Sequence, residues 1–515
     1  MAIVAVQQIF DNPLPKVVGN AEYDRDWNEL HVLHDLLRRS GAEDLVSEAW
    51  LLRAEELKLA QLAADGRRLR LLTYAESLEV QRNAVIALRA GILRKRLGLS
   101  LREFCRLVAH APLYQWFCRV GQVTGVKIFS KSALNDYENG LSAALLRRVN
   151  DRLLAAAASA VQSTLVNELG LEAAVSLSEV YADTFCCKAH IHFPVDWVLL
   201  RDGVRTLMLG VELIRSYGLK HRLPDSPAAF IARINKECIK MTHAFRQADF
   251  RRQRKAVLRR MKRITRICEK HGQRYVELLQ RRWAETTLGP GQKEQIVKRL
   301  TRILELLPAA RKQAHERIIG GRQVENEAKI LSLYEAEIHV ITRRKAGAEV
   351  EFGNKALLAE QADGLIVDWK VYREQVPADA RTLQASLERI DQILDQPIKA
   401  VSADRGFDSR KNRDYLQERA IFNALCPRDP RVLGKRLREP KFAALQKRRA
   451  QTEARIGILV NNFLGAVMLQ KGFARRESHF ALSVVAHNFC RLARMRLQQE
   501  AERELPSPIE QRRGA

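Results

Sequence analysis

The chain has 515 residues, 46% of them hydrophobic, which predicts well-packed cores in roughly two to four domains. Lys and Arg number 87 against 60 Asp and Glu, and the net charge of +27 favours a polyanionic partner, with nucleic acid ahead of a ribosomal or membrane-surface role. The eight cysteines form no Cys-x-x-Cys pair, and no apolar run approaches the roughly 18 residues of a membrane span, which argues against a zinc finger, a signal peptide and a membrane anchor. We therefore expect a reduced, cytoplasmic protein.

Apolar residues recur at helical spacing through the N-terminal part of the chain. After an irregular lead-in of about 20 residues, helices are predicted up to Arg96, and shorter helical segments follow. We predict an all-helical N-terminal domain over residues 1–165 that binds DNA, dimerises or does both. Because no helix-turn-helix signature is clear, a helical scaffold without DNA contact is the alternative.

An alternating stretch from Glu179 to Cys187 predicts a strand that includes Asp183. We expect the first part of a catalytic core over residues 175–204. The two histidines that follow are either metal ligands on one strand face or hydrogen-bonded structural residues, and the two later aspartates are weaker alternatives to Asp183. These four residues are His190, His192, Asp196 and Asp202.

Residues 205–334 are predicted to be a helical insertion. Its segment from Arg251 to Arg266 has nine basic residues, no acid and an apolar stripe. Gly289-Pro290-Gly291 then breaks the helix, which predicts an antiparallel helical hairpin. The basic face is either a grip for DNA phosphates or a solvated surface, and the lack of acids favours phosphates. The DNA-binding candidates are Arg251, Arg252, Arg254, Lys255, Arg259, Arg260, Lys262 and Arg263.

Strand patterns return over residues 335–497, the predicted remainder of the catalytic core. The polar segment 498–515 is expected to be a disordered tail. Strands are predicted at 336–344, 365–369 and 421–425, with helices at 380–394, 442–469 and 480–497.

An apolar-rich run from Ile398 ends in Asp404, and a glycine-containing turn follows at once. Such a strand end would hold a carboxylate rigidly at a sheet edge. Asp408 is the alternative to Asp404, although Asp408 and Ser409 are also candidate caps for the next helix.

A third acid, Glu453, lies on the predicted 442–469 helix, four residues after Arg449. Singly, each acid has a plain structural interpretation: Asp183 as a strand-end cap, Asp404 as a turn former, and Glu453 as a surface residue paired with Arg449. Together with the positive charge and the order of elements, the three acids favour catalysis.

In this order of elements and acids the chain resembles bacterial insertion-sequence transposases of the DDE class, over roughly residues 90–495. The resemblance implies a ribonuclease H-like α/β core, a mixed sheet flanked by helices. It also implies that Asp183, Asp404 and Glu453 are catalytic and bind Mg²⁺, for which Mn²⁺ substitutes. The matching residues are Val180-Tyr181-Ala182-Asp183-Thr184, Ala403-Asp404-Arg405-Gly406-Phe407-Asp408-Ser409, and Arg449 with Glu453.

The last catalytic helix departs from the family pattern. Gln446 stands where the family often has Tyr, and Val460 where it often has Lys, which leaves Arg455 or Lys471 as candidates for the basic contact to the DNA end. Arg449 matches the pattern and is a further DNA-binding candidate.

The resemblance implies a DNA transposase that binds terminal inverted repeats, cleaves DNA strands and transfers them to target DNA. Its expected state is a homodimer or higher oligomer on double-stranded DNA, nucleoid-associated in a bacterial cytoplasm and away from membranes. A structure-selective nuclease on the same core and an inactive, transposase-derived DNA-binding protein are the alternatives.

Overall fold

The helices predicted near the N-terminus are present in a computed structural model, which describes residues 14, 17–122, 125–160, 166–244, 249–335, 337–345, 348–374, 376–393 and 396–504. Thr73 and Ser100 begin helices with capping boxes, in which the serine or threonine and the third helical residue, a Glu, satisfy each other's backbone amides. The elements are α1 (Ala21–Arg39), α2 (Ala42–Ala64), α3 (Tyr74–Leu97), α4 (Leu101–His110), α5 (Pro112–Phe117), the short strands β1 (Gly121–Gln122) and β2 (Gly125–Val126), α6 (Lys131–Gly140) and α7 (Ala143–Ala158).

Four helices follow the first long strand and form a bundle with its own apolar core, which includes Leu207, Met261 and Leu307. The predicted hairpin is the longest part of this bundle. Its two helices run antiparallel, because Lys262 precedes Glu269 on the first helix whereas their partners, His315 and Arg311, come in the opposite order on the second. The elements are β3 (Glu179–Lys188), α8 (Asp196–Ser216), α9 (Pro227–His243), α10 (Phe250–Arg282), α11 (Pro290–Ile318) and β4 (His339–Lys345).

The remaining elements alternate between strands and helices, as the sequence pattern predicts. They are β5 (Ala348–Glu360), β6 (Ile366–Val371), α12 (Leu383–Ile393), β7 (Ala400–Ala403), α13 (Arg410–Glu418), β8 (Phe422–Leu425), α14 (Pro430–Arg436), α15 (Pro440–Leu459) and α16 (Phe473–Glu504).

Strands β3 to β8 form a mixed sheet in the order β6-β5-β3-β7-β8, with β4 paired to the first part of β5, whereas β1 and β2 pair only with each other. β3, β7 and β8 are parallel, whereas β5 and β6 are antiparallel. Because parallel neighbours need a crossover, α13 lies between β7 and β8 in the chain.

The chain divides into two units. Unit 1 comprises Met1–Cys187, Lys355–Tyr372 and Pro377–Ala515, and unit 2 comprises Lys188–Asn354 and Arg373–Val376. The inserted unit is therefore wider than the predicted 205–334 segment. The N-terminal helices and the sheet strands share one apolar core in unit 1, so the structure does not separate residues 1–165 as a domain of their own.

Two helix boundaries differ from the sequence prediction. The predicted 442–469 helix ends at Leu459, and a π-helical turn over Val460–Leu464 leads to Gly465, whose φ of 89° suits glycine. α16 extends to Glu504, so the predicted 498–515 tail begins as helix, and residues 505–515 lie outside the described residues. None of the described helices is long and apolar enough to cross a membrane.

Candidate active site

Two of the three predicted acids lie side by side where the pairing of β3 with β7 ends. β3 and β7 are parallel, and their last recorded pair is Ala182 with Ala403. Asp183 and Asp404 each follow that pair directly, on strands whose usual spacing is about 4.8 Å. Both side chains are only partly buried, and the Asp404 carboxylate accepts a hydrogen bond of 2.8 Å from the amide of Gly406 in the turn.

The environment of Asp183 disfavours a bare negative charge. Burial raises the pKa of Asp183 to about 6, and the carboxylates of Asp404 and Asp379 act in the same direction. The amide of Thr184, which donates to Asp183 at 2.7 Å, and the Arg449 guanidinium lower this pKa. Two neighbouring acids with one partial counter-charge are typical of catalytic and metal-binding sites.

Asp379 is an acid of this site that the sequence reasoning missed. It begins a 3₁₀ turn before α12 and accepts a 2.7 Å hydrogen bond from the Thr184 hydroxyl. Lys355, a buried residue on β5, forms an ion pair of 2.5 Å with it. A side chain at Gly406 would clash with the Asp379 carboxylate and come within 3.0 Å of Asp404, so at least the Asp379 side chain would have to shift to admit one. The only sequence signal is an isolated Asp before a helix, which is also an ordinary cap.

Helix α15 is fixed to the sheet through Glu360, the buried last residue of β5. Arg448 donates to Glu360 at 3.1 Å, and the hydroxyl of Thr452, one turn later, donates at 2.9 Å. Arg449 follows Arg448, and Glu453 follows Thr452. Arg449 and Glu453 therefore lie together on a neighbouring face of α15, rotated by about 100° from the face that contacts Glu360. Arg449 is partly buried near Asp183, and Glu453 is solvent-exposed.

Gln446, at the family's Tyr position, links α15 to two strands of the sheet. Its amide donates to the Ser402 hydroxyl at 3.3 Å and to the Ala424 carbonyl, and its oxygen accepts from Arg449 at 3.1 Å. Gln446 thus orients the guanidinium. A pocket of about 480 Å³ opens here, and its lining includes Asp404, Arg405, Cys426, Gln446 and Arg449.

The carboxylate oxygens of Asp183 and Asp404 suit a hard divalent cation. Among the described residues, no three His, Cys, Asp or Glu side chains are arranged to hold a metal ion by themselves. Mg²⁺, however, is commonly held by one or two carboxylates together with water and substrate phosphates. Asp183 and Asp404 offer oxygen donors only, and their mutual repulsion would be relieved by a cation. The pair fits Mg²⁺ on these grounds.

The acids that the sequence offered as alternatives, Asp408, Asp196 and Asp202, are ion-paired with arginines, and the two candidate histidines are exposed to solvent. Asp408 is buried, pairs with Arg413 at 2.6 Å and accepts from the Arg428 amide, while Ser409 alone caps α13. Asp196 pairs with Arg317 at 2.9 Å, and Asp202 with Arg201 at 2.8 Å. His190 and His192 are solvent-exposed.

The basic segment of α10 is less uniform than its sequence predicts. Arg260 pairs with Glu237 of α9 at 2.7 Å, Lys262 hydrogen-bonds to His315 of α11, and Arg254 lies over the Trp197 ring. Four of the named cations are exposed and have no ion-pair partner among the described residues: Arg251, Arg252, Arg259 and Arg263.

Comparison of the chain with protein-family models, with curated proteins and with solved structures finds no match.

Proposed function

We propose that this protein is a DNA transposase of the DDE class with a ribonuclease H-like core. The observation that supports this most is the register of β3 and β7, which sets Asp183, within β3, beside Asp404, directly after β7, at the point where the parallel pairing of the two strands ends. A chain with a net charge of +27 is suited to a DNA substrate, which is polyanionic.

The sheet order supports the finer fold assignment. In the chain, β3, β5 and β6 come before β7 and β8. In the sheet the order is β6-β5-β3-β7-β8, and β7 and β8 run parallel to β3. This is the arrangement that a ribonuclease H-like core requires. The insertion of unit 2 after β3 accounts for the long separation of Asp183 from Asp404 in the chain.

Each residue of the site has a role in phosphodiester chemistry under this proposal. Asp183 and Asp404 would hold Mg²⁺, with Glu453 as the third acid from α15. When bound, divalent cations supply activation of the attacking oxygen and stabilisation of the leaving oxygen. The Thr184 amide keeps the Asp183 carboxylate oriented, and Arg449, oriented by Gln446, attracts a non-bridging phosphate oxygen.

Cleavage of DNA duplexes that contain the sequences flanking the gene tests the proposal. We expect 3′-OH ends to form only with Mg²⁺ or Mn²⁺, and Asp183→Asn, Asp404→Asn and Glu453→Gln each to lower the rate by roughly a hundredfold or more. DNA affinity in EDTA should change little. Asp414→Asn, on exposed α13, is the matched control and should retain full activity.

Cleavage in excess EDTA, or full activity of the Asp183 or Asp404 variant, would overturn the assignment. Cleavage of branched DNA with no dependence on the flanking sequences would instead favour the structure-selective nuclease.

A further inference from the structure

A second pocket in unit 1, of about 600 Å³, lies away from the acids and has a strongly basic lining. Its walls come from the first turn of α4, from α6 along its length, from the start of α16 and from the segment just before α16, together with Arg94 of α3. We call it the basic pocket and define it by four cations that line it: Arg102, Lys131, Lys471 and Arg475.

The four cations are exposed, and none has an ion-pair or hydrogen-bond partner among the described residues. The single carboxylate in the lining, Glu138, is already neutralised, because Arg94 donates to both of its oxygens and also to the Leu99 carbonyl at 2.9 Å. Four positive charges around one cavity repel one another, so the arrangement costs free energy unless an anion is bound.

The backbone adds to the same potential. Ser100 and Ser130 cap α4 and α6 beside the pocket. α6 has no acid in its first turn, so its helix dipole adds positive potential, whereas Glu103 in the first turn of α4 offsets the dipole of that helix. Asn135, Asn139 and Ser478 add neutral hydrogen-bonding groups to the lining. Cations with neutral donors suit phosphate oxygens better than they suit a carboxylate-rich protein surface.

The basic pocket is tied to the sheet through α16. His479 and Leu482 line the pocket, and the neighbouring Phe480 stacks on Phe185 of β3 with ring centroids 6.0 Å apart. Phe185 is two residues after Asp183, a strand distance of roughly 7 Å. The pocket wall therefore lies within roughly 25 Å of Asp183, or about seven base pairs at 3.4 Å each.

We propose that the basic pocket binds the phosphodiester backbone of the same DNA whose cleavage is assigned to Asp183 and Asp404, no more than about seven base pairs from the reacting phosphate. This inference rests on the proposed function for the identity of the DNA. It assigns a backbone contact to unit 1, independent of the α10 cations of unit 2.

The test is DNA binding by the full-length protein in EDTA, over a range of salt concentrations, so that the outcome does not depend on cleavage. In one variant Arg102, Lys131, Lys471 and Arg475 are changed to Gln. The matched control changes Arg38, Arg53, Arg67 and Arg68, which are also exposed cations of unit 1, to Gln. Thermal unfolding would verify that both variants are folded.

We expect the pocket variant to bind duplex DNA roughly tenfold or more weakly at 0.1 M salt, and its slope of log K against log salt to be smaller by about 3 to 4, since each lost phosphate contact removes about 0.9. The control should change affinity and slope much less. In the unmodified protein, DNA should protect Lys131 and Lys471 from acetylation more than it protects exposed Lys370 of β6.

Equal losses in the two variants would show that diffuse charge is responsible and would overturn the inference. So would DNA binding that is unchanged in the pocket variant while inorganic phosphate alone protects Lys131 and Lys471, because the pocket would then be a small-anion site. Weaker binding by the pocket variant with no cleavage by the wild type would sustain the pocket and refute the transposase.

Discussion

Lys95 is a buried lysine whose pKa differs from that of an ordinary, exposed lysine. It is 2% exposed, and its amine donates to the Ser483 hydroxyl and contacts the His479 ring, both at 2.8 Å. Burial lowers the pKa of Lys95 well below its ordinary 10.5, and the charge of Arg94 lowers it further. The unfolded chain thus binds a proton that the folded chain releases.

A Lys95→Met change tests this. The wild-type free energy of unfolding should rise with pH between the lowered pKa of folded Lys95 and the ordinary 10.5, by up to about 1.4 kcal/mol per unit beyond the rise in the variant, since in that range the lysine proton is held only in the unfolded state. Urea unfolding at pH 7 and pH 9 measures this pH dependence of the free energy of unfolding, and Lys370→Met, at an exposed lysine, is the control. Identical pH dependence in wild type and Lys95→Met would contradict the expectation.

Asp379 and Lys355 form an ion pair beside Asp183, and we expect it to stabilise this part of the structure. Asp379→Ala leaves the buried amine of Lys355 with only the Pro377 carbonyl, which should cost about 2 kcal/mol, a value reduced because Asp379 is 25% exposed. Adding Lys355→Met should recover part of that loss in a double-mutant cycle.

Urea unfolding of the Asp379 and Lys355 variants gives the cycle. Asp414→Ala, in an exposed pair with Arg410 at 3.6 Å, should cost less than about 0.5 kcal/mol and serves as the control. Strictly additive effects of the two site changes would refute the coupling.

At the scale of elements, α10 presents a narrower basic face than its sequence predicts. Because Arg260 and Lys262 are engaged within the bundle, the phosphate contacts should come from the exposed cations of α10. Changing Arg251, Arg252, Arg259 and Arg263 to Gln should weaken binding to all DNA sequences alike. It should also reduce the salt slope by about 3 to 4.

The matched control for α10 lies in the same bundle, where Arg281, Lys298, Arg299 and Lys312 are exposed. Changing these four to Gln removes the same charge from the end of α10 and from α11. If both variants have the wild-type affinity and slope, α10 is a solvated face, as its alternative interpretation holds.

At the scale of the whole molecule, the apolar stripes of the long helices do not demand a partner. Leu30 and Leu37 of α1 are buried in unit 1, and Met261 and Leu300 of the hairpin are buried in unit 2. These buried stripes therefore give no separate reason to expect self-association. What stays exposed in unit 1 includes Leu52, Leu57, Leu69 and Leu71, which lie on α2 and just after it.

We still expect a dimer or higher oligomer on DNA, because transposition needs two ends held together. Light scattering with and without end-bearing duplexes should show at least two chains per complex, and Leu52→Gln with Leu57→Gln should weaken association if α2 is the contact. Leu209→Gln with Leu213→Gln, in unit 2, is the control. One chain per duplex throughout, with cleavage first order in protein, would exclude the idea.

The sequence by itself determined the features that depend on near neighbours. Periodicity located the helices, the strand that contains Asp183 and the strand that Asp404 follows, because side chains alternate or recur within a few residues along one element. Glycine and proline located the hairpin break, and composition determined the net charge of +27.

Only the tertiary structure decided which charges are available and which acids meet. Asp379 reaches Thr184 across 195 residues, and Arg448 reaches Glu360 across 88, and no local pattern encodes such pairs. Arg260 has no acid near it in the sequence, but in the structure it pairs with Glu237. The cations of the basic pocket likewise come from three separate segments of the chain. The physical reason is that burial and charge pairing depend on distance in space, which packing of the core sets after the local elements have formed.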